Sequence, residues 1–322
     1  RFRGEVYIAV DPDGKLAAIN VLGAEAVLAG VVPSEIFASA PPEALKAQAV
    51  AARNQLFAKL GRRHHAEPFH LCASQHCQVY AGLANEDARA TDAVFATRGE
   101  VLFLGGRLVD TVYSSSCGGF SDNREAVWGD PADRALRAHP DFDVAAHPEL
   151  AAFAGGIGAA MVTAWVHAYP ATYCSLASKA RREKFRWQRS FDRSALERLV
   201  AAQYPTIGKV KDLEVLERGP GGKAVSLRIR GEHGEATVLH ELPMRRLFDN
   251  LESGTFVLEL ERDTGGEIVR VTFRGAGWGH GVGMCQMGAI GRAEASHSYR
   301  DILAAYYGGA ATQALYGIAR SP

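Results

Sequence analysis

The sequence has no excess charge of either sign and no long apolar run. Its 322 residues carry 36 Lys and Arg against 36 Asp and Glu, so the formal net charge is zero. Proteins that bind nucleic acid usually present a strongly basic surface, and this balance argues against that class. No segment approaches the ~18 consecutive apolar residues of a transmembrane helix. Apolar residues nevertheless make up 47% of the chain, which is enough for a sizeable core.

The N-terminus carries no recognisable signal peptide and no initiator Met. Arg1 opens directly onto a strand-like segment. We therefore expect the numbering to begin inside a longer precursor, with any signal or anchor outside this chain.

Cysteine is scarce. The five residues are Cys72, Cys77, Cys117, Cys174 and Cys285. This odd number suits a metal site, or one disulfide with spare thiols, better than a dense disulfide scaffold.

Cysteine and histidine are concentrated in one short stretch: His64, His65, His70, Cys72, His76 and Cys77. Thiolate and imidazole together are the ligand set of a tetrahedral zinc site, and four residues separate the two cysteines, close to a zinc-knuckle spacing. The same stretch also fits a Cys72–Cys77 disulfide in an oxidising compartment, or a loop with neither feature. The residues alone leave these three alternatives open.

The hydrophobic patterns predict an α+β fold, with a mixed or antiparallel sheet core and a long alanine-rich helix. Residues 1–32 resemble strands, with alternation around the Asp11–Gly14 turn. A helix is expected from Pro42 to Gly61, because Pro suits a first helical turn and Gly a helix end. Val101–Tyr113 predicts a hairpin with a Gly-Gly turn.

The middle of the chain has weaker signals. We expect a helical segment over Leu176–Tyr204, with Ser194 capping its last part, a small sheet over Val210–Leu260 and a short helix over Glu241–Phe248.

Three further segments carry candidate chemistry. VVPSE places a lone carboxylate, Glu35, among apolar neighbours before the alanine-rich helix. YSSSCGG, Tyr113–Gly119, follows a predicted strand and makes an open polar loop. GAGWGHGVGMCQMGA, Gly275–Ala289, is glycine-rich but lacks the GxxxxGK[ST] pattern of a phosphate loop.

Together these motifs are similar to the stage II sporulation protein D family (SpoIID/LytB). VVPSE with EALKAQAVAAR, YSSSCGG and GWGHGVGMCQMGA occur in the family's order. The resemblance covers residues 1–130 and 265–322, and it implies a core of those residues with an inserted, variable α+β lobe at 131–264. The resemblance implies an enzyme of the cell envelope or periplasm, a lytic transglycosylase that cuts peptidoglycan glycan strands without water. Some LytB-type relatives are instead amidase enhancers, so a cell-wall amidase is the alternative partner. No nucleic-acid partner is expected.

The resemblance also implies residue roles. Glu35 would be the single catalytic acid and base. Contacts to substrate, or support of the segment that bears Glu35, are expected from Lys46, Gln48 and Arg53, and further contacts from Tyr113, Ser115, His280 and Gln286. His280 is alternatively a structural hydrogen-bond donor within the glycine loop.

Some family members hold a structural zinc ion with two Cys and two His. Here Cys72, His76 and Cys77 match that pattern, and His65 is our choice for the fourth ligand, with His70 and His64 behind it. Four protein ligands would leave no open position for water, which disfavours a zinc hydrolase. The family usually has a small or polar residue where this chain has Cys285. This departure favours a pair of Cys285 with Cys117, since the resemblance places both at one cleft, but the sequence leaves the pairing open.

Overall fold

The structure is a computed structural model that describes residues 1–74 and 76–316. The strands are β1 (Glu5–Val10), β2 (Leu16–Val21), β3 (Glu100–Leu104), β4 (Arg107–Leu108), β5 (Tyr113–Ser114), β6 (Arg186–Asp192), β7 (Val210–Arg218), β8 (Ala224–Gly231), β9 (Gly234–Leu239), β10 (Phe256–Arg262), β11 (Ile268–Ala276), β12 (Met284–Cys285) and β13 (Ala311–Ala314). The helices are α1 (Ala24–Glu35), α2 (Pro42–Lys59), α3 (Ala88–Ala96), α4 (Arg124–Trp128), α5 (Gly158–His167), α6 (Tyr173–Leu176), α7 (Arg182–Phe185), α8 (Arg193–Gln203), α9 (Glu241–Leu247), α10 (Gln286–Glu294) and α11 (Tyr299–Tyr306). Short 3-10 helices occupy Gly82–Asn85 and Pro148–Phe153. These elements confirm the α+β class.

The chain divides into two compact units. The first contains residues 1–112 and the chain from Arg292 onward, and the second contains Tyr113–Gly291. The sequence-based division, 1–130 plus 265–322 around a lobe at 131–264, has different bounds, and its last six positions lie outside the described residues. One physical reason for the difference is β11, which hydrogen-bonds on both sides within the second unit, to β10 and β6. The inserted lobe stays a prediction.

The first unit is centred on α2, as the proline, alanine and glycine pattern predicted. Pro41 precedes the helix, Pro42 occupies its first position, and the chain turns at Gly61 with φ +67°. Five of its six alanine side chains are fully buried, so α1, α3 and α11 approach closely. The hairpin β1–β2 and the antiparallel sheet β13–β3–β4 complete this unit.

One prediction in this unit is wrong. Residues 24–32 were expected to continue the strands, but they form helix α1, which runs to Glu35 and includes Pro33. Ala, Glu and Leu favour helix, and burial of Leu28, Val31 and Val32 on one helical face overrides the weak strand preference of the Val-Val pair.

The second unit contains the antiparallel sheets β10–β11–β6 and β7–β8–β9, with a core of aromatic and aliphatic residues that includes Phe248, Phe256 and Phe273. Strands β7–β9 and helix α9 confirm the expected small sheet and short helix. The helical segment expected over Leu176–Tyr204 is interrupted by strand β6, whose alternate burial follows its pairing with β11. Asp192, not Ser194, caps α8, because its carboxylate accepts the Ala195 N–H at 2.8 Å.

Candidate functional site

Glu35 is the last residue of α1, two positions after Pro33. Its side chain is half-buried, and Oε1 accepts a hydrogen bond from the Val79 N–H at 2.9 Å. Burial raises the pKa of Glu35 above the ordinary glutamate value, whereas the Val79 hydrogen bond and the positive charge of Lys59 act in the opposite direction. The net effect keeps the carboxyl protonated to a higher pH than a solvated glutamate.

Lys59 is a site residue that sequence reasoning missed. It ends α2, and its Nζ donates to the Cys77 carbonyl at 2.5 Å. Burial lowers the pKa of Lys59, and Arg63 lowers it further, while Asp110 and Glu35 act to raise it. A lysine in a last helical turn ordinarily serves the helix dipole, so the sequence carried no signal for this role.

The three polar residues predicted on α2 lie in different settings. Lys46 is half-buried and forms an ion pair with Glu43 at 2.7 Å. Gln48 and Arg53 are fully buried, each with 0% of its surface exposed. Arg53 donates to both carboxylate oxygens of Glu25, at 3.1 and 2.6 Å. Because Gln48 and Arg53 are fully buried, we expect them to support the fold around Glu35 and not to contact a sugar directly.

Four cysteine and histidine side chains come together after α2. The ligand atoms of His64, Cys72, His76 and Cys77 all lie within 4.8 Å of one another. His64 Nε2 is 3.3 Å from Cys77 Sγ, and His76 Nδ1 is 3.7 Å from both sulfurs. This set can hold a metal ion, and its fourth member is His64 instead of the expected His65, which is exposed.

Local backbone conformation explains the choice of histidine. His64 adopts φ +55°, in the left-handed region that a non-glycine residue rarely occupies. The two adjacent side chains therefore point in different directions, which spacing in the sequence could not show. In the thiol pair, partial burial acts to raise the pKa of Cys72, but hydrogen bonds from Ser74 and His76 lower it to about 5, and burial raises the pKa of Cys77.

In the second unit, the structure brings together the two loop motifs that lie far apart in sequence. β5 and β12 pair in parallel, with Tyr113 opposite Met284. Ser116 and Trp278 exchange backbone hydrogen bonds of 3.1 and 2.8 Å. A Cβ atom on Gly277, where φ is +83°, would lie 2.7 Å from the Ser116 carbonyl oxygen, so this approach requires glycine.

The predicted residues of the second unit sit on these paired loops. Tyr113 and Ser115 are half-buried, and Gln286 is buried at the start of α10. His280 Nδ1 accepts the Val282 N–H at 3.1 Å, so its Nε2 carries the proton and donates to the Tyr113 carbonyl at 2.8 Å. Burial lowers the pKa of His280 to about 4, and the neutral imidazole therefore links the two loops. This geometry favours the structural role for His280.

Two family models match the chain. The model described as Stage II sporulation protein (SpoIID) matches residues 12–104, and a domain of unknown function (DUF8618) matches residues 174–283. The chain is 28% identical over 294 residues to an uncharacterized protein of Brachyspira hyodysenteriae, covering 91% of this chain and 67% of that protein. It is 28% identical over 295 residues to the amidase enhancer of Bacillus subtilis, covering 88% of this chain and 39% of the enhancer. It is 25% identical over 302 residues to Stage II sporulation protein D of Bacillus subtilis, covering 88% of this chain and 73% of that protein.

Over residues 12–104 the chain is similar to the stage II sporulation protein D family.

The SpoIID match, 12–104, includes Glu35, helix α2 and the histidine–cysteine group within the first unit. The match to the domain of unknown function begins at Cys174 and falls within the second unit. Among the residues that the structure describes, no helix is both long enough and apolar enough to cross a membrane.

Two tryptophans add an aromatic surface to the paired loops, and sequence reasoning did not select either. The Trp128 ring lies 5.0 Å from the His280 ring. Trp278 is 37% exposed, with Lys184 Nζ 4.9 Å from its ring centre. Exposed aromatic rings at a polar loop are a chemical signal for a ligand with an apolar face, and Trp278 within the glycine-rich motif offered that signal in the sequence.

Proposed function

We propose that this protein is a lytic transglycosylase of the bacterial cell envelope, cutting the bond between N-acetylmuramic acid and N-acetylglucosamine in peptidoglycan. Its similarity to the SpoIID family model and to the amidase enhancer supports a cell-wall role. The observation that carries the finer assignment is the state of Glu35, a half-buried carboxyl whose pKa is raised by burial and whose Oε1 is held by the Val79 N–H. A general acid at neutral pH needs such a raised pKa.

The proposed reaction needs only one carboxyl group, unlike ordinary glycosidases, which use two. Protonated Glu35 gives its proton to the glycosidic oxygen, and the bond breaks through an oxocarbenium-like state. The resulting carboxylate then removes the proton from the 6-hydroxyl of the same muramyl residue. That oxygen closes on the anomeric carbon to give a 1,6-anhydro end, and Glu35 is protonated again without any consumption of water.

Lys59 and Val79 support the second half of this cycle. Once Glu35 has lost its proton, the Lys59 charge attracts the carboxylate and the Val79 N–H stabilises it. Both effects limit how far burial raises the pKa of Glu35. The side chain can therefore act as an acid and then as a base.

Polar and aromatic groups of the second unit are proposed to contact the glycan. Tyr113 and Ser115 offer hydroxyl groups on the paired loops, and the half-exposed Trp278 ring offers an apolar face to a sugar. Lys46 remains a proposed contact in the first unit, because its ammonium group is partly accessible beside Glu43.

The histidine–cysteine group fits a structural zinc ion. Two sulfurs and two imidazole nitrogens fill a tetrahedral site, which leaves no position for a reacting water. His64, Cys72, His76 and Cys77 would hold the metal. When bound, it would fix the loop in which Cys77 accepts the Lys59 hydrogen bond. We assign the metal a positional role only.

A second function is supported by one relative. The Bacillus subtilis protein that is 28% identical to this chain is named an amidase enhancer. A protein with that role would bind peptidoglycan or a cell-wall amidase and would not need an acid at Glu35. The carboxyl at Glu35 and its raised pKa favour catalysis.

Product analysis tests the proposal. Glycan strands, with and without stem peptides, are incubated with the protein, with Glu35→Gln and with Glu5→Gln, and the ends are identified by mass spectrometry. Glu5→Gln is a matched control, because it makes the same chemical change on the exposed strand β1. We expect anhydromuramyl ends with the wild type and Glu5→Gln, and none with Glu35→Gln.

Other products would lead to different conclusions. Reducing ends would identify a hydrolase and overturn the mechanism. Undiminished cleavage by Glu35→Gln would remove Glu35 from the reaction. Absence of cleavage of both substrates, together with stimulation of a purified cell-wall amidase, would establish the enhancer function instead.

A further inference from the structure

The second unit contains another group of metal-ligating side chains, separate from the histidine–cysteine group. One ligand atom from each of Cys117, Asp141, Cys174 and Cys285 lies within 4.8 Å of all the others. All four residues are buried, and Asp141 has 0% of its surface exposed. We propose that these three thiolates and one carboxylate bind a second tetrahedral metal ion of the zinc class, inside the second unit.

The spacing of the donors fits such an ion. Cys117 Sγ and Cys174 Sγ are 3.8 Å apart. A Zn–S bond is about 2.3 Å, which places two tetrahedral thiolate ligands about 3.8 Å from each other. A disulfide needs about 2.05 Å, and all five cysteines of the chain are free thiols in this structure. The Cys117–Cys285 disulfide that the sequence left open is therefore not formed in this structure.

The surroundings of Cys285 are those of a thiolate ligand. Two backbone N–H groups, of Cys117 and Gly288, point at Cys285 Sγ, each with the nitrogen at 3.2 Å. Hydrogen bonds from backbone amides stabilise the charged form of a sulfur and are typical of the shell around a metal ligand. These backbone N–H groups also partly neutralise the net negative charge that three thiolates and a carboxylate would have around a divalent ion.

Backbone contacts hold the other donors in place. Asp141 Oδ2 accepts the Cys174 N–H at 3.1 Å, and the Asp141 N–H donates to the Gly119 carbonyl at 3.0 Å. The Arg186 guanidinium donates to the Gly118 carbonyl at 3.0 Å and brings a positive charge beside Cys117 and Cys174. The donors are thus preorganised by the fold, as a structural metal site requires.

The distribution of cysteine gives independent support. Two of the five cysteines belong to the first group and three to this one, so none lies elsewhere. If every thiol is a ligand in one of two four-donor clusters, the odd number of cysteines is explained without a spare thiol. The metal would join the loop of Cys117 to that of Cys285, the same two segments that β5 and β12 pair.

Metal content of matched variants tests the site. The full chain, its C72S/C77S variant and its C174S variant are purified with zinc, dialysed and analysed by inductively coupled plasma mass spectrometry. We expect about two zinc ions per chain in the wild type and about one in each variant, since a four-donor site loses most of its affinity without its thiolates. C72S/C77S loaded with Co²⁺ should show a thiolate-to-cobalt charge-transfer band in the near ultraviolet.

A second variant keeps the test valid if C174S does not fold. Asp141→Asn preserves shape while it removes the charged donor, and in the C72S/C77S background it should release its metal to a chelator at least tenfold faster. The proposal is overturned if C72S/C77S binds no zinc or Co²⁺ while thiol titration after unfolding finds its three cysteines free. It is equally overturned if the same titration finds one free thiol, because two cysteines would then form a disulfide.

Discussion

The buried pair of Arg53 and Glu25 allows a direct test of whether Arg53 holds the fold or the substrate. The guanidinium has no exposed surface and donates to the Glu25 carboxylate, to the Val94 carbonyl at 3.0 Å and to the Glu100 carbonyl at 3.1 Å. The perturbation is Arg53→Met, which keeps the length and the packing of the side chain and removes every donor.

The expected loss of stability comes from the buried groups that remain after Arg53 is replaced. Removal of one partner of a buried ion pair leaves an uncompensated charge and costs about 3–5 kcal/mol. The Val94 and Glu100 carbonyls each lose one hydrogen bond as well, and a group left unsatisfied costs about 1–3 kcal/mol. The Val94 carbonyl still accepts from the Thr97 hydroxyl at 3.3 Å, and Glu25 still accepts from the Gly99 N–H and the Tyr316 hydroxyl, which limits this additional cost. We therefore expect a loss of about 3–5 kcal/mol, a large share of a typical unfolding free energy of about 5–15 kcal/mol.

Urea unfolding followed by circular dichroism measures this loss, with Arg107→Met as the matched control. Arg107 is exposed on β4, so its replacement should change stability by less than about 0.5 kcal/mol. Burial acts to raise the pKa of the Glu25 carboxyl. The hydrogen bonds from Arg53 and Tyr316 outweigh burial, so the pKa of Glu25 lies below that of an ordinary glutamate. The stabilisation is therefore present above the unfolded glutamate value of about 4.3, and it disappears as the pH falls through the lower folded value.

The reasoning would be refuted by one combination of results. If Arg53→Met were as stable as Arg107→Met and yet failed to bind glycan strands in a cosedimentation assay, Arg53 would be a substrate contact and the burial argument would not hold.

Three other predictions concern the acid and the paired loops. Glu35→Gln should lower the rate of anhydro-end formation by about 10²–10⁴-fold, and the wild-type rate should fall as the pH rises through the raised pKa of Glu35; a pH-independent rate would contradict this. Lys59→Met removes a charge that lowers the pKa of Glu35, so the falling limb of the rate profile should move to higher pH, and a shift to lower pH would exclude the assigned attraction. Gly277→Ala should cost more than the ~1–3 kcal/mol typical of a strained left-handed residue, because its Cβ would meet the Ser116 carbonyl. Gly14→Ala is the control, because Gly14 has φ +77° and no atom within 4 Å of an added Cβ, so this substitution introduces backbone strain without a steric clash. Thermal unfolding measures the loss of stability of both variants, and equal losses would show that the loops move apart to accommodate the Cβ at position 277.

The elements that the sequence predicted well are those whose signals are local. Pro42 and Gly61 bound the alanine-rich helix, and two glycines turn the hairpin between β3 and β4. Helix α1 was missed because Val31 and Val32 carry a strand preference that only burial against neighbouring helices reverses.

The site was less predictable because its geometry depends on tertiary contacts. The choice between His64 and His65 depends on one left-handed backbone angle. Nothing in the sequence joins Asp141 and Cys174 to Cys117, since the three lie on separate loops and helices that only the folded second unit brings together.

The contacts of Glu35 explain how one carboxyl group can perform both proton transfers of the proposed reaction. A group that must first give and then take a proton works best with a pKa near the ambient pH. Burial alone would hold Glu35 protonated, and a solvated glutamate would hold it ionised. The Val79 N–H and the Lys59 charge lower the pKa of Glu35 and so oppose the effect of burial. Both contacts depend on the loop that contains Cys77. The Cys77 carbonyl accepts a hydrogen bond from Lys59, and Cys77 lies two residues before Val79. A metal ion at the histidine–cysteine group would thus set the acidity of Glu35 without touching the substrate, by fixing the loop that carries the opposing contacts.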